Sequence, residues 1–69
     1  MMAQLRTYLK ILNIVKKHKN GIIARQIAEH AGASLRTTYR HLALITENEP
    51  LYTDRRGKNV YYLMLRGDE

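Results

Sequence analysis

The residues best suited to chemistry in this chain are cations and hydroxyls spaced to meet phosphates and base edges. Arg36 and Arg40 stand four residues apart, one above the other if the segment is helical, with Thr37 and Tyr39 between them and Ser34 and Leu35 just before. A guanidinium can bond O6 and N7 of guanine together, worth about 1 to 3 kcal/mol of discrimination. Arg36 is the first candidate for such a contact, and Arg40 is suited to either a base or a phosphate. The hydroxyls of Thr37 and Tyr39 suit phosphate oxygens; Tyr39 could equally lie flat against a neighbouring hairpin. A second cluster, Arg55, Arg56 and Lys58, surrounds Gly57. Three like charges on a tight turn repel one another unless something anionic is near. The other readings are a solvated tip and charges that guard a strand edge. Arg25 and Gln26 form a third group, which would touch a nucleic-acid backbone or simply be solvated.

Catalysis finds no comparable support. There is no Cys, no paired carboxylate in an apolar setting and no phosphate loop. His18, His30 and His41 lack ligand spacing. His30 and His41 could approach across a turn, but two imidazoles without a third ligand make no zinc site. His41 reads as a partly buried core histidine. No enzyme activity, cofactor or metal is expected.

The elements that would carry these groups follow from periodicity. Gln26 to Leu42 reads as two short helices with a sharp turn between them. Ile27, Ala28 and Ala31 give an apolar face, and Gly32 supplies the positive φ for the turn. Ser34 is placed to cap the next helix, about Leu35 to Glu47, whose inward stripe is Thr38, Leu42 and Ile45. A helix from about Gln4 to Lys19 comes first, with Leu5, Tyr8, Leu9, Leu12 and Val15 at helical intervals and lysines in its last turn. Asn20-Gly21 stops it. Ile11 and Ile14 widen its apolar arc. Either the other elements clamp this helix, or Ile11 and Ile14, with Met1 and Met2, contribute to a homodimer. Ile22-Ile23 is a short extended piece, and a helix follows from about Ala24 to His30. Pro50 ends the last helix, with Asn48 the residue best able to take a left-handed cap. Leu51 to Arg55 and Val60 to Leu65 then read as a hairpin, with Gly57 or Asn59 at positive φ. Its inward positions would be Leu51, Thr53, Tyr61, Leu63 and Leu65, and Arg66 to Glu69 a frayed tail.

Ala28, Gly32 and the run Arg36-Thr37-Thr38-Tyr39-Arg40-His41-Leu42 resemble the winged helix-turn-helix of bacterial and archaeal transcription regulators, especially the IclR-like and DeoR-like groups. The resemblance spans roughly residues 4 to 65. It implies an α+β fold of three helices with a C-terminal two-stranded wing, in the order helix, short strand, helix, helix, strand, strand. It also implies DNA-binding activity. The chain departs from the family pattern at Ile23, where a Ser or Thr cap is usual, and at Asn48, where Gly is usual.

Bulk properties agree with one basic domain over residues 1–69. Sixty-nine residues allow a small core and leave no room for an effector-binding domain, so no small-molecule effector is expected. Twelve Lys and Arg against six Asp and Glu give a net charge of +6, which favours phosphates as partners. The lack of Cys fits a reducing cytoplasm, and no apolar run approaches the roughly 20 residues that span a bilayer. The favoured function is sequence-specific binding of double-stranded DNA by a small transcription regulator, as a homodimer on an inverted repeat. The alternatives are a protein-protein module and an architectural DNA binder. Binders of left-handed duplexes typically carry an Asn on the recognition helix and a Trp in the wing; this chain has no Asn between Leu35 and Glu47 and no Trp.

Overall fold

The computed structural model describes residues 2–64, with side chains from Leu5 onward. Leu65 and the tail expected to fray lie outside the described residues, as do the side chains of Met1 and Met2. The chain forms α1 (Met2–Lys17), β1 (Ile22–Ile23), α2 (Ala24–Ala31), α3 (Leu35–Asn48), β2 (Leu51–Arg56) and β3 (Asn59–Met64). The three strands make one antiparallel sheet in the order β1-β3-β2. This is the winged-helix arrangement, with the β2–β3 hairpin as the wing.

Local chemistry explains each turn. Gly21, at φ 103°, follows α1 and closes a turn in which its N–H donates to the His18 carbonyl at 2.9 Å. An added Cβ there would lie 2.9 Å from Cβ of Tyr61 and 3.3 Å from Cγ of Leu63, so this position needs glycine for space as well as for φ. Gly32 ends α2 in the left-handed region. The N–H of Gly32 reaches the Glu29 carbonyl at 3.3 Å and that of Ala33 reaches Ala28 at 3.0 Å, the paired bonds of a Schellman cap. Ser34 caps α3: its Oγ accepts from the Thr37 N–H at 3.1 Å and donates to Thr37 Oγ1 at 3.0 Å. Ile23 gives α2 no side-chain cap, as its apolar side chain requires.

The end of α3 differs from expectation. Asn48 stays helical, its Nδ2 donating to the Leu44 carbonyl at 2.9 Å, and Glu49 leaves the helix at φ −129°, ψ 158°. The cause is Pro50, whose ring pushes the preceding residue into extended backbone, so a left-handed cap is not used.

The core joins Ile11, Leu12 and Val15 of α1 to Ile22, Ala24, Ile27, Ala31, Leu42, Ile45 and Leu51. Thr38 is wholly buried, and its hydroxyl donates to the Ser34 carbonyl at 2.9 Å, which removes the cost of burying it. On α1 the structure corrects the expected stripe. Leu5 and Leu9 are 58% and 47% exposed, while Ile11 is 0% exposed. The apolar arc is wide enough for two orientations, and packing against α2 and α3 selects the one centred on Ile11 and Val15. Ile11 therefore has no surface to give to a second copy, and Ile14 is half-buried against the core.

The wing is also corrected, by one residue of register. Arg56 pairs with Asn59, which leaves Gly57-Lys58 as a two-residue loop. Gly57 has φ 62° and Lys58 does not have positive φ, the pattern of a type II′ turn. Pairing then sets Leu51 opposite Met64 and Thr53 opposite Tyr62, so Tyr62 and Met64 share the helix-facing side with Leu51. Tyr61 and Leu63 take the opposite face, where they cover Gly21; Leu63 is buried there, as expected of it, and Tyr61 is half-buried. Thr53 is on the helix-facing side but exposed, because the hairpin projects beyond the core.

Candidate nucleic-acid interface

Three elements converge on one open cleft of about 200 Å³. It is lined by Ile23, Ala24 and Arg25 at the start of α2, Leu35 and Tyr39 of α3, and Lys58, Asn59, Val60 and Tyr62 of the wing. Its walls mix apolar, aromatic and polar side chains, and its cations come from different elements: Arg25 from α2 and Lys58 from the turn of the wing. The helix-turn-helix geometry places α2 and α3 end to end across Gly32, and β1 draws the wing alongside by pairing Ile22 with Tyr62 and Ile23 with Tyr61.

On α3 the side chains divide by angle around the axis. Thr38, Leu42 and Ile45 point into the core. Arg36 and Arg40 occupy the opposite, exposed face, one turn apart. Tyr39 and Leu35 lie on the flank toward the wing, 50% and 44% exposed, and both line the cleft. Of the two places expected for Tyr39, the structure shows the one beside the wing. Thr37 lies on the other flank, half-buried, with its hydroxyl accepting from Ser34 and its carbonyl bonded to Nδ1 of His41 at 2.9 Å. The Ser34 hydroxyl is thus committed to the cap, and Thr37 is partly so. Gln26 is exposed beside Arg25 in the first turn of α2.

The three wing cations do not act alike. Arg55 lies opposite Val60 on the same side of the hairpin as Tyr62, the side that lines the cleft. Arg56 lies on the other side. Its Nε donates to Asp54 Oδ2 at 2.9 Å, and its guanidinium carbon stands 4.5 Å from the centroid of the Tyr61 ring. Among the described residues this is the one ion pair, and Arg25, Arg36, Arg40, Arg55 and Lys58 have no carboxylate partner. A group of exposed cations left without counter-charges is costly to hold together unless an anion arrives.

Tyr62 is the residue that the sequence reading missed. Burial, and then the nearby Tyr39, raise its hydroxyl above the ordinary tyrosine value. Half-buried, it lines the cleft. The signal that could have found it, and Val60 with it, is the two-residue Gly57-Lys58 turn, which fixes the register of β3.

His30 meets His18 rather than His41, ring centroids 5.8 Å apart, and His41 is half-buried, as expected, packing edge-on to Tyr8 at 6.4 Å. His18 Nδ1 is bonded to the Ile14 carbonyl at 2.7 Å, which orients that ring. Among the described residues no three His, Cys, Asp or Glu side chains gather as metal ligands, and no helix is long and apolar enough to cross a membrane.

Comparison with known proteins gives a fold. No family model and no curated protein matches the chain. Among solved structures, it is similar to the Zalpha domain of PKZ from Carassius auratus, solved in complex with Z-DNA, with a TM-score of 0.72 and 21% identity. The match covers 91% of this chain and 98% of that one. The likeness is to a winged-helix domain and does not extend to the IclR-like or DeoR-like groups; what it establishes for this chain is the winged-helix fold.

Proposed function

We propose that the protein binds duplex DNA, with α3 presented to the major groove and the wing set against the adjacent backbone. The observation that carries this reading is a set of exposed cations, Arg25, Arg36, Arg40, Arg55 and Lys58, that have no carboxylate partner among the described residues, with Arg25 and Lys58 lining the cleft itself. Arg36 and Arg40 stand on the exposed face of a capped helix, where bidentate contact with guanine or contact with phosphate is open to them. Arg25 and Gln26 at the start of α2, Tyr39 on the flank, and Arg55 and Lys58 of the wing serve the backbone. Ser34 and Leu35 bring the N-terminal end of α3 to the groove, Ser34 through the cap it forms and Leu35 through apolar contact. Thr37 contributes through the placement of Arg36 and Arg40. A role as a small transcription regulator follows if this binding is sequence-specific.

A second reading is favoured by the solved neighbour, whose duplex is left-handed. Against it stand the absence of Trp and of any Asn between Leu35 and Glu47, the two residues such binders typically carry on the wing and the recognition helix. Selection from a random duplex pool, followed by titration of B-form and Z-form duplexes over a salt series, separates the readings. A preferred B-form sequence, with affinity that falls steeply as salt rises, is the expected result. Preference for the Z-form would replace the major-groove reading, and equal binding of all B-form sequences would make the protein an architectural binder. No binding of any duplex would remove DNA as its partner.

A further inference from the structure

We infer that the wing is one-sided: Arg55 and Lys58 hold the nucleic-acid backbone, whereas Arg56 is a positioning residue that stiffens the hairpin and touches no phosphate. The inference rests on the duplex-binding reading above and assigns its wing contacts. By register, Arg55 shares a side of the hairpin with Val60 and Tyr62, and Lys58 itself lines the cleft opposite Arg25. Arg56 shares the other side with Asp54 and Tyr61. A phosphate approaching that side would meet the Asp54 carboxylate, so the face is set against anions even though an arginine stands on it.

The contacts of Arg56 already occupy its Nε–H and one face of its guanidinium. Its Nε is bonded to Asp54 at 2.9 Å, and its flat guanidinium lies over the Tyr61 ring, at 4.5 Å from the centroid. An exposed ion pair contributes little by itself, and these side chains are 44% and 50% exposed. The ring beneath changes its meaning. Tyr61 pairs with Ile23 of β1 and rests on Gly21, at the end of the turn that leaves α1. The stack thus links the base of the turn, through Tyr61, to the far end of β2. Beyond the two residues that pair with β1 the hairpin is two-stranded, and such an extension is marginal without a link of this kind.

The test compares Arg55→Gln, Lys58→Gln, Arg56→Lys and the double variant Asp54→Asn/Arg56→Gln, which keeps the net charge. Duplex affinity is measured over a salt series, and hydrogen exchange of the hairpin amides is measured without DNA. Arg55→Gln and Lys58→Gln should each lower the salt slope by about one, roughly a threefold smaller loss of affinity between about 50 and 200 mM salt. The double variant and Arg56→Lys should keep the wild-type slope and exchange their hairpin amides several-fold faster. Loss of about one unit of slope in the double variant, or unchanged exchange in both, would overturn the assignment. Wild type that binds no duplex would overturn the duplex reading and this inference with it, and that failure is visible before any variant is compared.

Discussion

The helix-turn-helix and the wing contribute cations to one cleft, yet they are held in place by different means. The junction of α2 and α3 is fixed by the Schellman bonds of Gly32 and Ala33, the Ser34 cap and the buried Thr38 hydroxyl, with Ile27, Leu42 and Ile45 packed beneath. Beyond Leu51, every residue of β2 is exposed, and the wing depends on β-pairing, on Tyr61 and Leu63 over Gly21, and on the Asp54–Arg56–Tyr61 contacts. The difference suits a division of labour. In the proposed function, reading bases would require Arg36 and Arg40 to be held at fixed positions, because bidentate contacts tolerate little misplacement. Holding a backbone requires charge at the right side and tolerates more motion.

Variants can break this contrast or sharpen it. The largest effect is expected in the shared core: Leu42→Ala should cost about 2 to 5 kcal/mol, measured by denaturant unfolding, because a wholly buried side chain beneath α3 leaves a cavity. A loss much below that range would show that α3 is less firmly seated than the wing. Next comes the turn after α1 on which the wing rests. Gly21→Ala should cost roughly 1 to 3 kcal/mol from backbone strain, and its Cβ would press on Tyr61 as well. Gly57→Ala, with positive φ but open space around it, should cost less than Gly21→Ala. Equal costs would mean that the contact of Gly21 with Tyr61 and Leu63 does not tie the wing down. Ser34→Ala should remove about 1 kcal/mol through the lost cap of α3 and leave the wing amides unaffected in hydrogen exchange.

The smallest effect concerns pH. The folded protein holds Tyr62 above its ordinary value, so the unfolded chain ionises first as pH rises past 10. Stability from this source is complete below that pH and is lost as pH climbs through the folded value. Tyr62→Phe should flatten the decline seen in alkaline thermal melts. An unchanged decline would show that burial of the phenol does not couple to folding.

Much of this was legible in the residues, and the exceptions have physical causes. Gly32, Ser34 and the stripe Thr38, Leu42, Ile45 identified the helix-turn-helix because capping chemistry and helical period agree there. On α1 the period alone admitted two faces, and only packing against the other helices distinguishes Leu5 and Leu9 from Ile11. In the wing, alternation from Leu51 was sound, but the side of β3 depends on the length of the turn. Reading Gly57-Lys58 as a two-residue loop would have put Tyr62 inside and Tyr61 outside. The restraint on Arg56 was also readable in part, since Asp54 is two residues away and therefore on the same side of the strand. The stack on Tyr61 was not, because it needs the cross-strand register.

The most direct test of the account is duplex binding by Arg36→Ala and Arg55→Gln beside wild type, each titrated on a selected sequence and on random duplex over a range of salt. The account predicts that Arg36→Ala loses about 1 to 3 kcal/mol of preference for the selected sequence. Arg55→Gln should weaken both duplexes alike and lower the salt slope by about one. If Arg36→Ala keeps its preference, or Arg55→Gln loses it, the helix does not read and the wing does not hold, and the division of labour is contradicted.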